Sequence, residues 1–153
     1  MQFWVMKSEP NDYSIDDLER DGSEPWDGIR NYQVRNMMRD VMKVGDKALF
    51  YHSNAGPKTG VAGVMKIASN AYPDPTQFDT EDAHYDPKSD PDSPRWLCVD
   101  VKFNEKFPRV VTLSEIKSQK QFAEMQLVQK GNRLSVMPIK KTHFEALYKQ
   151  AKR

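Results

Sequence analysis

Residues 31–43 read NYQVRNMMRDVMK, and the rest of the chain is best read outward from this stretch. Val34, Met37, Met38, Val41 and Met42 fall at i, i+3, i+4, i+7 and i+8, one continuous apolar face at helical period. Asn31 precedes them as a candidate cap, and Arg35, Arg39 and Lys43 make a basic stripe beside the face. The spacing predicts a helix over 31–43 whose methionines belong to the core.

Around it, strands dominate. FWVMK (3–7) is a short apolar run of a buried strand, and KALFYHS (47–53) is a strand that ends in polar residues. GVAGVMKIA (60–68) mixes β-branched residues with glycines, which predicts a bent strand. WLCVDVKFNEKF (96–107) alternates as a long strand, and RLSVMPI (133–139) reads as a last strand stopped by Pro138. Short helices are expected after Ser14, near Ser114, and after Thr142, where THFE has the form of a capping box and opens a helix to about residue 151. Few short helices and about five non-local strands predict an α+β chain: a strongly bent, barrel-like mixed sheet with helices filling its ends. The 31–43 helix is expected to plug one end through Val34, Met37, Met38 and Val41.

At 153 residues the chain fits one domain, 1–153. The segment 72–95 holds seven acidic residues and two basic ones among many prolines. Tyr72, Phe78, His84 and Tyr85 give it groups to pack, so an ordered surface loop is expected rather than a linker. Charged residues make up 29% of the chain and hydrophobic ones 38%, as in soluble globular proteins. No apolar run approaches the roughly 18 residues of a membrane span. A single Cys98 excludes an internal disulfide and suits a reducing, cytoplasmic setting; mid-strand, it reads as buried and inert. The net charge of +1 hides an excess of nine basic over two acidic residues in 116–153. That excess is either a phosphate-facing surface or a set of solvated lysines, and charge alone does not separate the two.

Catalytic chemistry is not evident. His52, His84 and His143 are widely spaced, without the partners a metal site needs. Ser53 follows His52, but adjacent strand residues point to opposite faces, so they make no nucleophile and base pair. No cofactor is expected. Three polar element ends do offer a recognition set: Lys7, Ser8 and Glu9; Trp26, Arg30 and Asn31; Tyr51, His52 and Ser53. Aromatic faces stack on a heterocycle while hydroxyl and amide groups read its edge. The other reading of Trp26 is a half-buried core anchor.

Taken in order, FWVMKSEP, WDGIRNYQVRN, FYHSN, GVAGVMKI, AYPDPTQF, HYDP, RWLCVDVKF and RLSVMPI resemble the EVE domain family, with likeness from residue 3 to about residue 145. The resemblance implies a PUA-like fold, the group that includes PUA, ASCH and YTH domains. It also implies binding of DNA or RNA that carries modified bases, the modified nucleotide being held out of its stack. In similar YTH domains an aromatic cage surrounds a methylated adenine, beside a Lys-Ser pair ending the first strand and a later Trp. Lys7, Ser8 and Trp26 match those positions, Asn31 fits the polar reader, and Tyr51 or His52 is the expected second wall; Trp96, at the head of a strand, is not.

The basic N-terminal extension common in eukaryotic members is absent, so the resemblance implies a bacterial, cytoplasmic protein. No nuclease or helicase is fused, so a monomer that reads without cutting is expected. One modified base would stack on Trp26 while Ser8 and Asn31 read its edge, and Lys7, Arg30, Arg35 and Arg39 would contact phosphate. A near-neutral chain predicts about three to five such contacts and weak, salt-sensitive binding. The alternatives are an enzyme acting on a nucleotide or RNA, and a protein-interaction adaptor using the 72–95 loop.

Overall fold

Alternation within the first apolar run sets the architecture. In the computed structural model, which describes residues 1–153, that run forms β1 (Phe3–Ser8), with Trp4 and Met6 on one face and Phe3 and Val5 on the other. The chain continues through α1 (Ile15–Asp21), β2 (Ser23–Trp26), α2 (Tyr32–Asp40), β3 (Lys47–His52), β4 (Gly60–Ile67) and β5 (Tyr72–Pro73). It closes with β6 (Leu97–Thr112), α3 (Leu113–Lys117), β7 (Val136–Ile139) and α4 (Lys141–Ala151).

The strands run in the order β2-β6-β4-β3-β1-β7, with β5 paired to β6. β1 and β3 are parallel and every other pairing is antiparallel. β4 shifts register against both β3 and β6, which bends the sheet. At Gly63 the backbones approach so closely that a Cβ would stand 2.4 Å from the Glu105 carbonyl oxygen, so only glycine fits the bend. The sheet stays open, since β2 and β7 are edges that do not meet. β7 carries Pro138 within the strand rather than after it, as an edge strand permits.

Both faces are covered, so the helices flank the sheet instead of filling barrel ends. One face packs Trp4, Met6, Phe50 and Met65 against Ile15 and Leu18 of α1 and Val34 and Met38 of α2. The other packs Phe3, Val5, Leu49 and Tyr51 against Ile116 of α3 and Phe144 and Leu147 of α4. Fully burying one such side chain contributes about 1.5–3 kcal/mol.

Local chemistry explains the helix limits. Ser14 caps α1 in a capping box with Asp17, and Thr112 caps α3 with Glu115. Asn31 caps α2, its Oδ1 accepting the Val34 N–H at 3.0 Å. α2 stops at Asp40, three residues short of the expected end; the chain turns there, leaving Val41 43% exposed and burying Met42 instead. The expected capping box at Thr142 does not form. Only Lys140 separates β7 from α4, so Thr142 already lies inside the helix.

Polar side chains rather than aromatics hold the 72–95 segment. Asp74 and Gln77 are fully buried, while Tyr85 is exposed. Gln77 Nε2 donates to the carbonyls of Asp74 (2.7 Å) and Trp96 (2.8 Å), and its Oε1 accepts from the Trp96 N–H and the Ser89 hydroxyl.

Candidate functional site

The C-terminal ends of β1 and β2 open onto a cavity of about 650 Å³. Lys7 and Ser8 come from β1, Glu24 to Asn31 from β2 and the turn into α2, and Ser53 from the loop after β3. Glu9, Asp12, Tyr13, His84 and Arg133–Ser135 complete the wall. Backbone bonds join these pieces: Lys7 N–H donates to the Ser135 carbonyl at 2.8 Å, and Ser53 N–H to that of Ser8 at 3.0 Å.

Trp26 reaches the cavity with little of its surface. It is only 8% exposed and belongs to the core, meeting Phe50 edge to face. The open stacking platform expected from sequence is therefore a buried ring that shows one margin to the cavity.

Asp74 shapes the turn that follows. Its Oδ2 accepts the Gly28 N–H at 2.8 Å and Arg30 Nη1 at 3.1 Å, while Oδ1 accepts the Thr76 N–H and hydroxyl. Burial works against the charge of Asp74, but the bonds from Thr76, Gly28 and Arg30 outweigh it and hold the carboxyl below its usual pKa. Gly28 has φ +79°, and a Cβ there would stand 2.9 Å from the His84 ring. Arg30 donates to Asp74, Thr76, the Ile29 carbonyl and, twice, the His84 carbonyl. All five of its N–H groups are thus used within the protein, and none is left for a phosphate.

Several wall groups retain unused capacity. Asn31 has committed its Oδ1 to the helix cap, leaving its Nδ2 free to donate. The Ser8 hydroxyl donates to the Tyr13 carbonyl at 2.7 Å, so only its lone pairs face outward. Ser53 Oγ, Arg133 and the carboxylates of Glu24 and Asp27 have no hydrogen-bonding partner. Lys7 has no carboxylate partner either; its Nζ lies 5.6 Å from the Tyr51 ring, and burial lowers its pKa. The cavity therefore presents donors at Lys7, Asn31, Ser53 and Arg133, and acceptors at Ser8, Asp12, Glu24 and Asp27.

Four of the residues expected at the site lie elsewhere. Tyr51 is buried in the core facing α4, beneath Lys7. His52 packs edge-on against Phe50, and its Nε2 accepts the Ile15 N–H at 3.1 Å at the start of α1. Burial lowers its pKa, in keeping with a neutral acceptor ring. Neither residue forms a second cavity wall. Arg35 donates to the Arg95 carbonyl and to Asn36, with its guanidinium 4.7 Å from the Tyr32 ring, and Arg39 pairs with Asp40. Tyr32 in turn lies 4.7 Å from Trp96, on which Arg30 also packs, so Trp96 ties α2 to the 72–95 segment outside the cavity.

Sequence reasoning missed Asp27, His84 and Arg133 as wall residues. Asp27 stands beside Trp26 but reads as part of a turn; His84 and Arg133 arrive from distant segments that no periodicity connects to Trp26. A second cavity, about 740 Å³, lies across the sheet beneath α4, lined by Phe3, Val64, Phe144 and Tyr148 with lysines at its rim. It contains none of the expected ligand residues, and its Glu105 and Glu145 are already paired with lysines.

An open mixed sheet with helices on both faces, and a polar-walled cavity where β1 and β2 end, defines a PUA-like fold. The chain belongs to the EVE domain family, whose pattern it matches over residues 2–150. It is 42% identical to human thymocyte nuclear protein 1 over 161 residues, covering 93% of this chain and 70% of that protein. A Pseudomonas syringae protein of known structure superimposes with a TM-score of 0.93 at 43% identity, over 97% of this chain and 99% of the other. The human thymocyte nuclear protein 1 structure in complex with 5-methylcytosine-containing DNA gives a TM-score of 0.92 at 39% identity, over 100% and 99% of the two chains. A YTH domain from Zygosaccharomyces rouxii, solved with N6-methyladenosine RNA, shares the fold at a TM-score of 0.54 and 18% identity, over 99% and 87% of the two chains. No helix is long and apolar enough to cross a membrane.

Proposed function

We propose that this protein is a non-catalytic reader that holds one modified base of a nucleic acid in the cavity at the ends of β1 and β2. In this reading it acts as a single EVE domain over residues 1–153, in the cytoplasm. The observation that carries the proposal is a walled cavity whose Asn31, Ser53, Lys7 and Asp27 side chains have hydrogen-bonding capacity left over. Uncommitted donors and acceptors around an aromatic margin suit a flat heterocycle with polar edges. The relative solved with 5-methylcytosine-containing DNA makes methylated cytosine the leading ligand.

The same wall supports binding rather than turnover. A nucleophile needs an adjacent base within hydrogen-bond reach. Ser8 is committed to a backbone carbonyl, and His52 is turned away to cap α1. Asn31 and Ser53 are assigned to the base edge, and Lys7 and Arg133 to the flanking phosphates.

The test is a fluorescence-polarisation screen of short single- and double-stranded oligonucleotides, each with one methylated, hydroxymethylated or thiolated base. A preference for one modification over its unmodified parent, weakened by Asn31→Ala and Ser53→Ala with unchanged thermal midpoints, is the expected result. Equal affinity for all strands, or chemical change of any strand on prolonged incubation, would overturn the proposal.

A further inference from the structure

We infer that Asp27 selects the class of base: its carboxyl takes the exocyclic amino group of a 4-aminopyrimidine, so the cavity accepts methylated cytosine and rejects thymine. This inference rests on the cavity being a base-holding site, and it adds the specificity of that site.

Asp27 follows Trp26 directly and lines the cavity without a hydrogen-bond partner. Two nearby carboxylates are engaged elsewhere. Asp74 holds the turn, and Asp82 accepts the His84 N–H at 2.8 Å and lies 3.1 Å from its Nδ1. Of the unpartnered carboxylates in the wall, Asp12, Glu24 and Asp27, Asp27 is the one joined directly to Trp26 and its aromatic margin.

5-Methylcytosine and thymine share the ring and the methyl group and differ along one edge. Cytosine offers an amino donor at N4 and an acceptor at N3, whereas thymine offers a carbonyl at O4 and a donor at N3. As a carboxylate Asp27 only accepts, and it takes the N4 amino hydrogen of cytosine. Thymine instead sets the O4 lone pairs against a carboxylate oxygen.

Asparagine separates this role from a structural one, because an amide turned by 180° presents donor and acceptor in either order and matches both bases. Affinities are measured for short single strands identical except for one 5-methylcytosine, cytosine or thymine, with thermal midpoints for each variant. The intact protein is expected to favour 5-methylcytosine over thymine by on the order of 10-fold or more, and Asp27→Asn to bring the two within about 2-fold. Asp27→Ala should weaken 5-methylcytosine binding by about 10-fold, and Glu24→Gln should leave the ratio unchanged. A ratio that survives Asp27→Asn, or that collapses in Glu24→Gln instead, would overturn the assignment. An intact protein that ranks 5-methylcytosine above cytosine yet binds thymine equally well would overturn it while leaving the modified-base reading in place. Equal binding of 5-methylcytosine and cytosine, both above thymine, would overturn only the modified-base reading. Binding of no strand would overturn both.

Discussion

The Trp26 ring meets Phe50 edge to face, with centroids 5.3 Å apart and planes at 89°. This pair locks the end of β2 to the middle of β3, so the aromatic margin of the cavity is held by the core. Trp26→Ala is therefore expected to cost about 3–5 kcal/mol of stability, in the range of large aromatic truncations in cores. Trp26→Phe keeps most of the packing and should cost clearly less. Urea midpoints of the three proteins check this order. A Trp26→Ala variant as stable as the parent would mean that the ring contributes to the cavity alone.

Gly28 and His84 should prove coupled. Alanine at 28 must adopt φ +79° and also displace the His84 ring. The left-handed conformation alone costs about 1–2 kcal/mol. Removing the ring should relieve the contact but not the backbone strain, so Gly28→Ala should be less harmful in a His84→Ala background. A double-mutant cycle on stability is expected to give a coupling of about 0.5–1.5 kcal/mol, and strict additivity would show that the ring simply moves aside.

Asp74 should leave a mark on acid stability. Its folded pKa is held below the unfolded value, which for an aspartate is about 3.9. The resulting stability is fully present above the unfolded pKa and is lost as pH falls through the folded one. The parent should therefore lose more stability than Asp74→Asn between about pH 5 and about pH 2. At neutral pH the variant should be the weaker by about 1–3 kcal/mol, because the amide replaces charge-assisted bonds to Gly28, Thr76 and Arg30. Denaturant curves across that range test both halves. Parallel acid limbs would mean that Asp74 titrates alike folded and unfolded.

What could be read in the sequence follows from the range of the interactions. Ser14 and Asn31 were legible as caps because a cap and its amide lie three residues apart. The buried strands were legible from apolar runs. The second face of the sheet was not: in FWVM both faces are apolar, and only α3 and α4, placed more than a hundred residues on, reveal that each is covered. Lys7, Ser8, Trp26, Arg30, Asn31 and Ser53 do meet at one cavity because element ends cluster there. Tyr51 faces the α4 side of the sheet and His52 turns to the start of α1, so neither joins it. Arg30 shows a further limit. Its charge was visible, but the partners of its five internal hydrogen bonds come from the turn itself and from residues 74–84, which no local pattern places beside it.

The cations left without internal partners set the salt dependence of binding. Arg30 has spent its donors, Arg35 is tied to Arg95 and Asn36, and Arg39 is tied to Asp40. Lys7 and Arg133 remain as cavity cations without an ion-pair partner, so about two phosphates are within their charge rather than the three to five that the sequence predicts. Each neutralised phosphate contributes about −0.9 to the slope of log K against log salt on duplex and about −0.7 on single strands. The expected slopes are therefore near −2 and near −1.4. Arg133→Ala should flatten the slope by about 0.9 on duplex and about 0.7 on single strands, whereas Arg35→Ala and Arg39→Ala should leave it unchanged. Titrations at several salt concentrations, with one oligonucleotide and all four proteins, provide the measurement. A parent slope near −4 would show that lysines of the 116–153 region, such as Lys130 and Lys140, also reach the backbone. A response to Arg39→Ala would show that its pair with Asp40 opens on binding, moving the docking surface onto α2.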